Sequence, residues 1–492
     1  MPDPALVAAA LIRVDDPDHP DAIVRSSTGS VLMAPPSEGT PWRHEPWPEV
    51  DTFAPGTEVT TVVGAEAWND AGFTGAGVKI AIFDVGWDAS ASEEGEVAAT
   101  ATHDCANAPS CELAFDPLSP RYDIDRGAHG WACAEVIRDI APDADIHLVR
   151  VTGHTVFENA IDWAIRDGVD LISMSMSFYN TSFYDGTGPF HAPILKLEAN
   201  DGLLVSSAGN NARNHWSGPW RDGDADGRHD LGGGNGLTLA LEAGTATIYL
   251  SWNQFLRCGD TDLALALTSG DVEIAYADTR QAPDEKGCEP VERLTADIPE
   301  DGVYTLSVHL IHGGTTDLAV DVLTRDKRLD APRATSSTAD PASIDLTYAV
   351  AAIGVTSWDE GTPESYSSWG PNHAGHQTPD IAGPDGLNAS AYGSGGFFGT
   401  SASTPAVAGM LALILDRYPD STPREAAEML SAWAHPTTPG SPWDPATGAG
   451  RALLPDPSAT GPCGASTSAA FLPLLGFAAG SRRRLRRARF TR

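Results

Sequence analysis

Hydrophobic positions change their rhythm along this chain. From about residue 58 they alternate between short apolar runs and helical spacing. Ala65 to Ala71 predicts a short helix, and Gly77 to Phe83 an apolar strand ending at Asp84. Asp145 to Val151 predicts a second strand, and Phe157, Ala160, Ile161, Ala164 and Ile165 recur at the spacing of one helix face. Asp167 to Ser175 is a turn leading into a third strand, and Leu203 to Ser206 is a fourth. Strands alternating with helices predict a parallel α/β sheet, with functional groups at the C-terminal ends of its strands.

Near residue 213 the helical period disappears. Tyr249–Trp252, Asp262–Leu267, Val272–Tyr276, Val303–Leu310 and Leu318–Leu323 are short strand runs separated by turn residues. They predict an all-β sandwich, similar to the jelly-roll modules found beside secreted peptidases. The α/β texture resumes after Pro332 with a strand at Tyr348–Val355 and a long apolar helix from about Ser401 to Arg417. The expected organisation is therefore a leader, pro-segment remnant or linker at 1–57 and an α/β domain at 58–212 and 333–459. That domain is interrupted by a sandwich at 213–332 and followed by a tail at 460–492. Residues 1–57 show no sustained period.

Charge removes one class of partner. The chain has 492 residues, 31 Lys+Arg against 67 Asp+Glu, and a net charge of −36. So acidic a surface repels nucleic acid and anionic lipid. The ends differ in character. The N-terminus has an apolar stretch without a basic flank and makes a poor signal peptide. The C-terminus runs from Cys463 through an apolar stretch at Ala469–Gly480 to an Arg cluster at 482–492. That apolar stretch is too short to cross a bilayer of about 30 Å comfortably. The tail resembles the C-terminal sorting tails of myxobacterial and related surface proteins. The resemblance implies export to the cell surface or outer envelope, or beyond it, through a membrane-associated sorting system. Cysteine usage agrees with export. Cys105 and Cys111 are close in sequence, and Cys258 and Cys288 fall in one later segment, where a disulfide is expected. The spacings are not those of a zinc site.

Several local contexts carry chemistry. Asp84 closes an apolar strand, which suits a carboxylate that orients an imidazole or caps a turn. His129 lies in Gly-Ala-His-Gly at the start of a small-residue helix, or in a surface loop. Ser401 stands at the head of the long helix, with Pro405 expected in its first turn. It reads as a nucleophile or as an N-cap. Asn210 follows a strand and a glycine, as an oxyanion donor or a turn residue.

Taken together, Asp84-x-Gly-x-Asp88, His129-Gly130, Gly209-Asn210 and Gly399-Thr-Ser-x-x-x-Pro405, in the order Asp, His, Ser, resemble the subtilases, the subtilisin-like serine peptidases. The resemblance implies a subtilisin-like parallel sheet flanked by helices and a serine endopeptidase acting on protein or peptide substrates. Catalysis would need no cofactor. Asp84, His129 and Ser401 would form the triad, Asn210 the oxyanion hole, and Ser175, Met176 and Ser177 the strand that binds substrate. Trp131 and Val85 stand where the family usually has Thr, so Trp131 is expected to narrow the substrate channel. Asp222, Asp224, Asp226 and Asp230 occupy positions 1, 3, 5 and 9 of a calcium loop, with Gly227 at 6 and Gly233 at 12 in place of the bidentate Glu. The rival function is an inactive subtilase-like surface scaffold that binds glycan or protein through its sandwich.

Overall fold

The computed structural model describes residues 57–87, 97, 99–116, 127–231, 234–255, 261–281, 289–325 and 327–458, and the strands within 11–33 by their backbone. In chain order the strands are β1 Leu11–Val14, β2 Val24–Ser26, β3 Gly29–Met33, β4 Lys79–Asp84, β5 Ala101–Asp104, β6 Asp145–Arg150, β7 Leu171–Met174 and β8 Leu203–Ser207. Next come β9 His215–Pro219, β10 Leu237–Leu241, β11 Gly244–Trp252, β12 Asp262–Ser269, β13 Val272–Ala277, β14 Val291–Ile298, β15 Gly302–His312 and β16 Ala319–Thr324. The last are β17 Tyr348–Gly354, β18 Ile381–Asp385, β19 Leu387–Ala389 and β20 Gly393–Phe397. The helices are α1 Thr57–Val63, α2 Ala65–Asp70, α3 His129–Ile140, α4 His154–Asp167, α5 His191–Glu198, α6 Thr400–Arg417 and α7 Pro423–Trp433.

Seven strands form one parallel sheet in the order β18-β17-β8-β7-β4-β6-β5. Such a sheet must be covered on both faces, because both rows of side chains are apolar. On one face Ile80, Ile82, Leu148 and Val205 pack with α3 and α6. On the other, Ala81, Phe83, Val149 and Met174 pack with Phe157, Ile161 and Ala164 of α4 and Ile194 and Leu197 of α5. The alternation along β4 is the pleat of a strand buried on both sides.

Between the neighbouring strands β8 and β17, the chain forms two antiparallel four-stranded sheets, ordered β10-β15-β12-β13 and β14-β11-β16-β9. They share one hydrophobic cluster. Leu239, Leu265, Leu306 and Val308 come from the first sheet, and Trp216, Ile248, Leu250 and Val322 from the second. β14 alternates buried and exposed residues along most of its length, as a half-buried strand does. Three short strands also lie within 11–33, where the sequence shows no sustained period: β1 and β2 both pair with β3.

Candidate active site

Asp84, Ser175 and Asn210 all sit at or just beyond the C-terminal ends of parallel strands, β4, β7 and β8. Asp84 is wholly buried. Its Oδ1 accepts the backbone N–H groups of Val85 (2.7 Å) and Gly86 (3.0 Å), which leaves Oδ2 to His129 Nδ1 at 2.7 Å. A carboxylate held by two amides has one orientation, and it fixes the imidazole with it. The edge of one ring meets the face of the other between His129 and Phe397, with centroids 5.8 Å apart, so the histidine is held from two sides.

His129 opens α3, and Gly130 is what lets that helix reach the strand. A Cβ at Gly130 would lie 2.7 Å from Asp84 Cβ and 2.8 Å from the Gly86 carbonyl. The Gly130 N–H donates to that same carbonyl at 2.8 Å. Cys133, one turn further along the same face, is a buried free thiol. A donor atom of each of Asp84, His129 and Cys133 lies within 4.8 Å of the others. Burial first, and then the Asp84 charge, push the Cys133 thiol well above its usual range, so it stays protonated. The i, i+4 spacing from His129 was the sequence signal for this neighbour.

Ser401 is the second residue of α6 and is buried. Its Oγ lies 3.5 Å from the Ser175 carbonyl. Asn210 faces the same helix end. Its Oδ1 accepts both the backbone N–H and the hydroxyl of Thr400, each at 3.0 Å, which fixes the amide with Nδ2 on the other side. Gly399, with φ of 104°, supplies the space: a Cβ there would stand 2.9 Å from Asn210 Nδ2 and 3.6 Å from the Ser401 backbone nitrogen. The Asn210 amide nitrogen and the Ser401 backbone nitrogen thus both lie beside the space that a side chain at position 399 would fill. Thr400, which sets this geometry, was not among the residues singled out from sequence.

Other expectations meet the structure differently. Pro405 is the sixth residue of α6, inside the helix and not in its first turn, because the helix begins at Thr400. Trp131 is as buried as His129 and Ser401 and belongs to the main core cluster. The Ser175 hydroxyl is turned inward, donating to the Ser401 carbonyl at 3.0 Å. Met176 is buried and Ser177 half-buried, while the Phe178 N–H is taken by the Asp340 carbonyl at 2.8 Å. Asp222, Asp224 and Asp226 bring carboxylate oxygens within 4.8 Å of one another. Asp230 stands apart and accepts the Gly223 N–H at 2.9 Å. Cys105 and Cys111 are joined by a disulfide. Asp88, Gly233, Cys258, Cys288, Cys463 and the 460–492 tail lie outside the described residues.

Comparison with known proteins bears on the family and the fold. The subtilase family model matches residues 75–246 and 326–450. A subtilisin-like protease of Arabidopsis thaliana, SBT3.16, is 26% identical over 389 residues, covering 67% of this chain and 48% of the relative. The subtilisin-like protease het-Q2 of Podospora anserina is 29% identical over 138 residues, 25% of this chain and 37% of the relative. The chain thus spans half or less of the length of these curated relatives. The structure of the Clostridium perfringens CspB protease superposes with a TM-score of 0.58 at 17% identity, covering 81% of this chain and 97% of that one, a likeness of fold. The family match takes in well over half of the chain and all of Asp84, His129, Asn210 and Ser401, and this protein belongs to the subtilase family.

Proposed function

We propose that this protein is a serine endopeptidase in which Asp84, His129 and Ser401 act as a triad. The observation that carries the reading is the buried 2.7 Å bond from His129 Nδ1 to an Asp84 carboxylate already held by two amides. It leaves Nε2 as the base. His129 takes the Ser401 proton as Oγ attacks a peptide carbonyl, and Asp84 stabilises the imidazolium that forms. The developing oxyanion enters the opening between Asn210 Nδ2 and the Ser401 N–H. His129 then protonates the leaving amine, and water resolves the acyl-enzyme. Extended substrate runs along the backbone of Ser175, Met176 and Ser177.

The two antiparallel sheets and their shared core support an inserted, jelly-roll-like β-sandwich at 213–332 within a domain spanning 58–212 and 333–459. The clustered oxygens of Asp222, Asp224 and Asp226 fit the first positions of a calcium loop. The Cys105–Cys111 disulfide supports an exported protein, with the 460–492 tail engaging a sorting system and the surface acidity disfavouring nucleic acid.

A serine-reactive peptidyl phosphonate tests the reading. It should label the folded protein at Ser401 and fail to label Ser401→Ala. Labelling should be strongly slowed in His129→Ala. A folded wild-type protein that resists the probe would overturn the enzyme and leave the scaffold that binds through its sandwich.

A further inference from the structure

Away from this site, three side chains from distant segments meet where the second antiparallel sheet touches the parallel-sheet part. His215 opens β9, Asp321 lies in β16, and His373 lies in the loop after β17. His215 and Asp321 are buried almost completely, and the His373 side chain is 12% exposed. The Nε2 atoms of His215 and His373 lie 2.8 and 2.7 Å from the same oxygen, Asp321 Oδ2, and the three donor atoms are all within 4.8 Å of one another.

His215 Nδ1 is 2.6 Å from the Arg333 carbonyl, which can only accept, so Nδ1 carries a proton and Nε2 is the atom turned to Asp321. Two imidazole nitrogens and one carboxylate oxygen from three separate segments thus converge on one buried point. The Arg333 guanidinium is turned elsewhere, donating to the Ser217 carbonyl and lying over the Trp216 ring, 4.5 Å from its centroid.

We propose that His215, Asp321 and His373 bind one divalent transition-metal ion of the zinc class. The ion replaces the two Nε2 protons and supplies the positive charge that the three atoms surround. His215 then stays neutral, with its Nδ1–H on a backbone carbonyl, the outer-shell bond that metal-bound histidines generally make. Two imidazoles and one carboxylate suit zinc or cobalt, whereas calcium takes six to eight oxygens and magnesium an octahedron of oxygens and waters. Three protein ligands leave a fourth position, and the partly exposed edge of His373 is where water reaches it.

The scaffold around the ligands is already fixed. Asn372 Nδ2 donates to the Ser343 carbonyl at 2.7 Å, and Asn372 Oδ1 accepts the N–H groups of Ala374 and His376. The His373 ring stacks on Phe183 with centroids 4.4 Å apart. β9 and β16 pair side by side, which sets His215 and Asp321 on adjoining strands. The ion would therefore pin the antiparallel sheet to the loop that carries His373.

The test uses the full-length protein, stripped with a chelator and titrated with Co2+ and then Zn2+. One equivalent of Co2+ should give visible d–d bands without a thiolate charge-transfer band, and Zn2+ should displace it. His373→Gln, chosen because that ring is partly exposed, should weaken binding by about 100-fold or more, taking the upper end of the effect of outer-shell changes as a floor. Asp321→Asn should do the same. His129→Ala and Asp226→Asn should leave the cobalt spectrum unchanged, which separates this cluster from the other two groups of potential ligands. Wild-type protein that binds no cobalt, or cobalt binding that survives His373→Gln and Asp321→Asn in folded protein, would overturn the proposal and leave a cluster held by protons.

Discussion

Pro405 deprives Ser401 of its helical partner. In α6 the Ser401 carbonyl would accept the N–H of residue 405, four positions on, and proline has none. That free carbonyl is taken instead by the Ser175 hydroxyl at 3.0 Å, with the Cys133 thiol 3.7 Å away. The head of the helix, and Ser401 with it, is thus tied to the end of β7. Ser175→Ala should leave a buried carbonyl short of a donor, costing about 1–3 kcal/mol of stability. It should also lower kcat by up to about 10²-fold as Ser401 shifts. Pro405→Ala restores the intrahelical donor, so the double variant should recover part of both losses. Strictly additive losses in chemical denaturation and kinetics would show that the two residues are not coupled.

Asn210 depends on Thr400 in a similar way. Asn210→Ala should lower kcat about 10²–10³-fold with little change in KM, the range known for removing one such donor in subtilisin itself. Thr400→Val removes one of two bonds that orient the amide and keeps the backbone one. It should therefore lower kcat in the same direction but by less. The pair should not add, because Thr400 acts through Asn210. Steady-state kinetics on a chromogenic peptide would show this, and a KM effect alone would assign Thr400 to substrate binding.

What could be read in advance was what recurs locally. Strand β4 ending at Asp84, the helical spacing in α4 and the Gly-Thr-Ser head of α6 are patterns within one element, and the structure has them. The α7 helix carries a local signal too: Thr422 and Glu425 form a capping box with Pro423 just inside the helix, but the run behind it is only weakly apolar. β9 and β10 carry no clear strand signal, because His215–Pro219 mixes polar and apolar residues without alternation and Leu237–Leu241 is short. The Ser-x-x-x-Pro pattern predicts Pro405 in the first turn of α6, whereas the helix begins at Thr400 and Pro405 falls in its second turn. The His215, Asp321 and His373 cluster had no signal at all. Its members are more than a hundred and then about fifty residues apart, and only the fold brings them together.

Gly130 answers a question of distance. Any side chain there must displace Asp84 Cβ, the Gly86 carbonyl or the Trp87 ring, all within 2.9 Å of the missing Cβ. Backbone and strand cannot give as a flexible side-chain tip can. Gly130→Ala should push the start of α3 away from β4 and stretch the Asp84–His129 bond. The expected cost is about 1–3 kcal/mol, as for overpacking in a core. Phosphonate labelling of Ser401 should slow in protein whose circular dichroism is unchanged. Labelling at the wild-type rate would mean that the helix and strand tolerate the extra atom.

Asp340 gives the fold a dependence on pH. Its carboxyl is fully buried and accepts hydroxyl bonds from Thr181 at 2.7 Å, Ser182 at 2.8 Å and Ser343. Burial outweighs those bonds and raises it from the ordinary 3.8 to about 6. The folded protein therefore holds a proton, between about pH 4 and pH 6, that the unfolded chain has released. Linkage then makes this group's contribution fall as pH rises through that window, by about 3 kcal/mol for a shift of two units. The loss is complete above about pH 6 and absent below the unfolded value. Asp340→Asn cannot ionise, so the difference in stability between variant and wild type should change across the window and level off on either side. Urea unfolding at a series of pH values measures that difference directly. A difference that stays constant from pH 4 to pH 7 would show that Asp340 ionises in the folded protein as readily as in the unfolded chain.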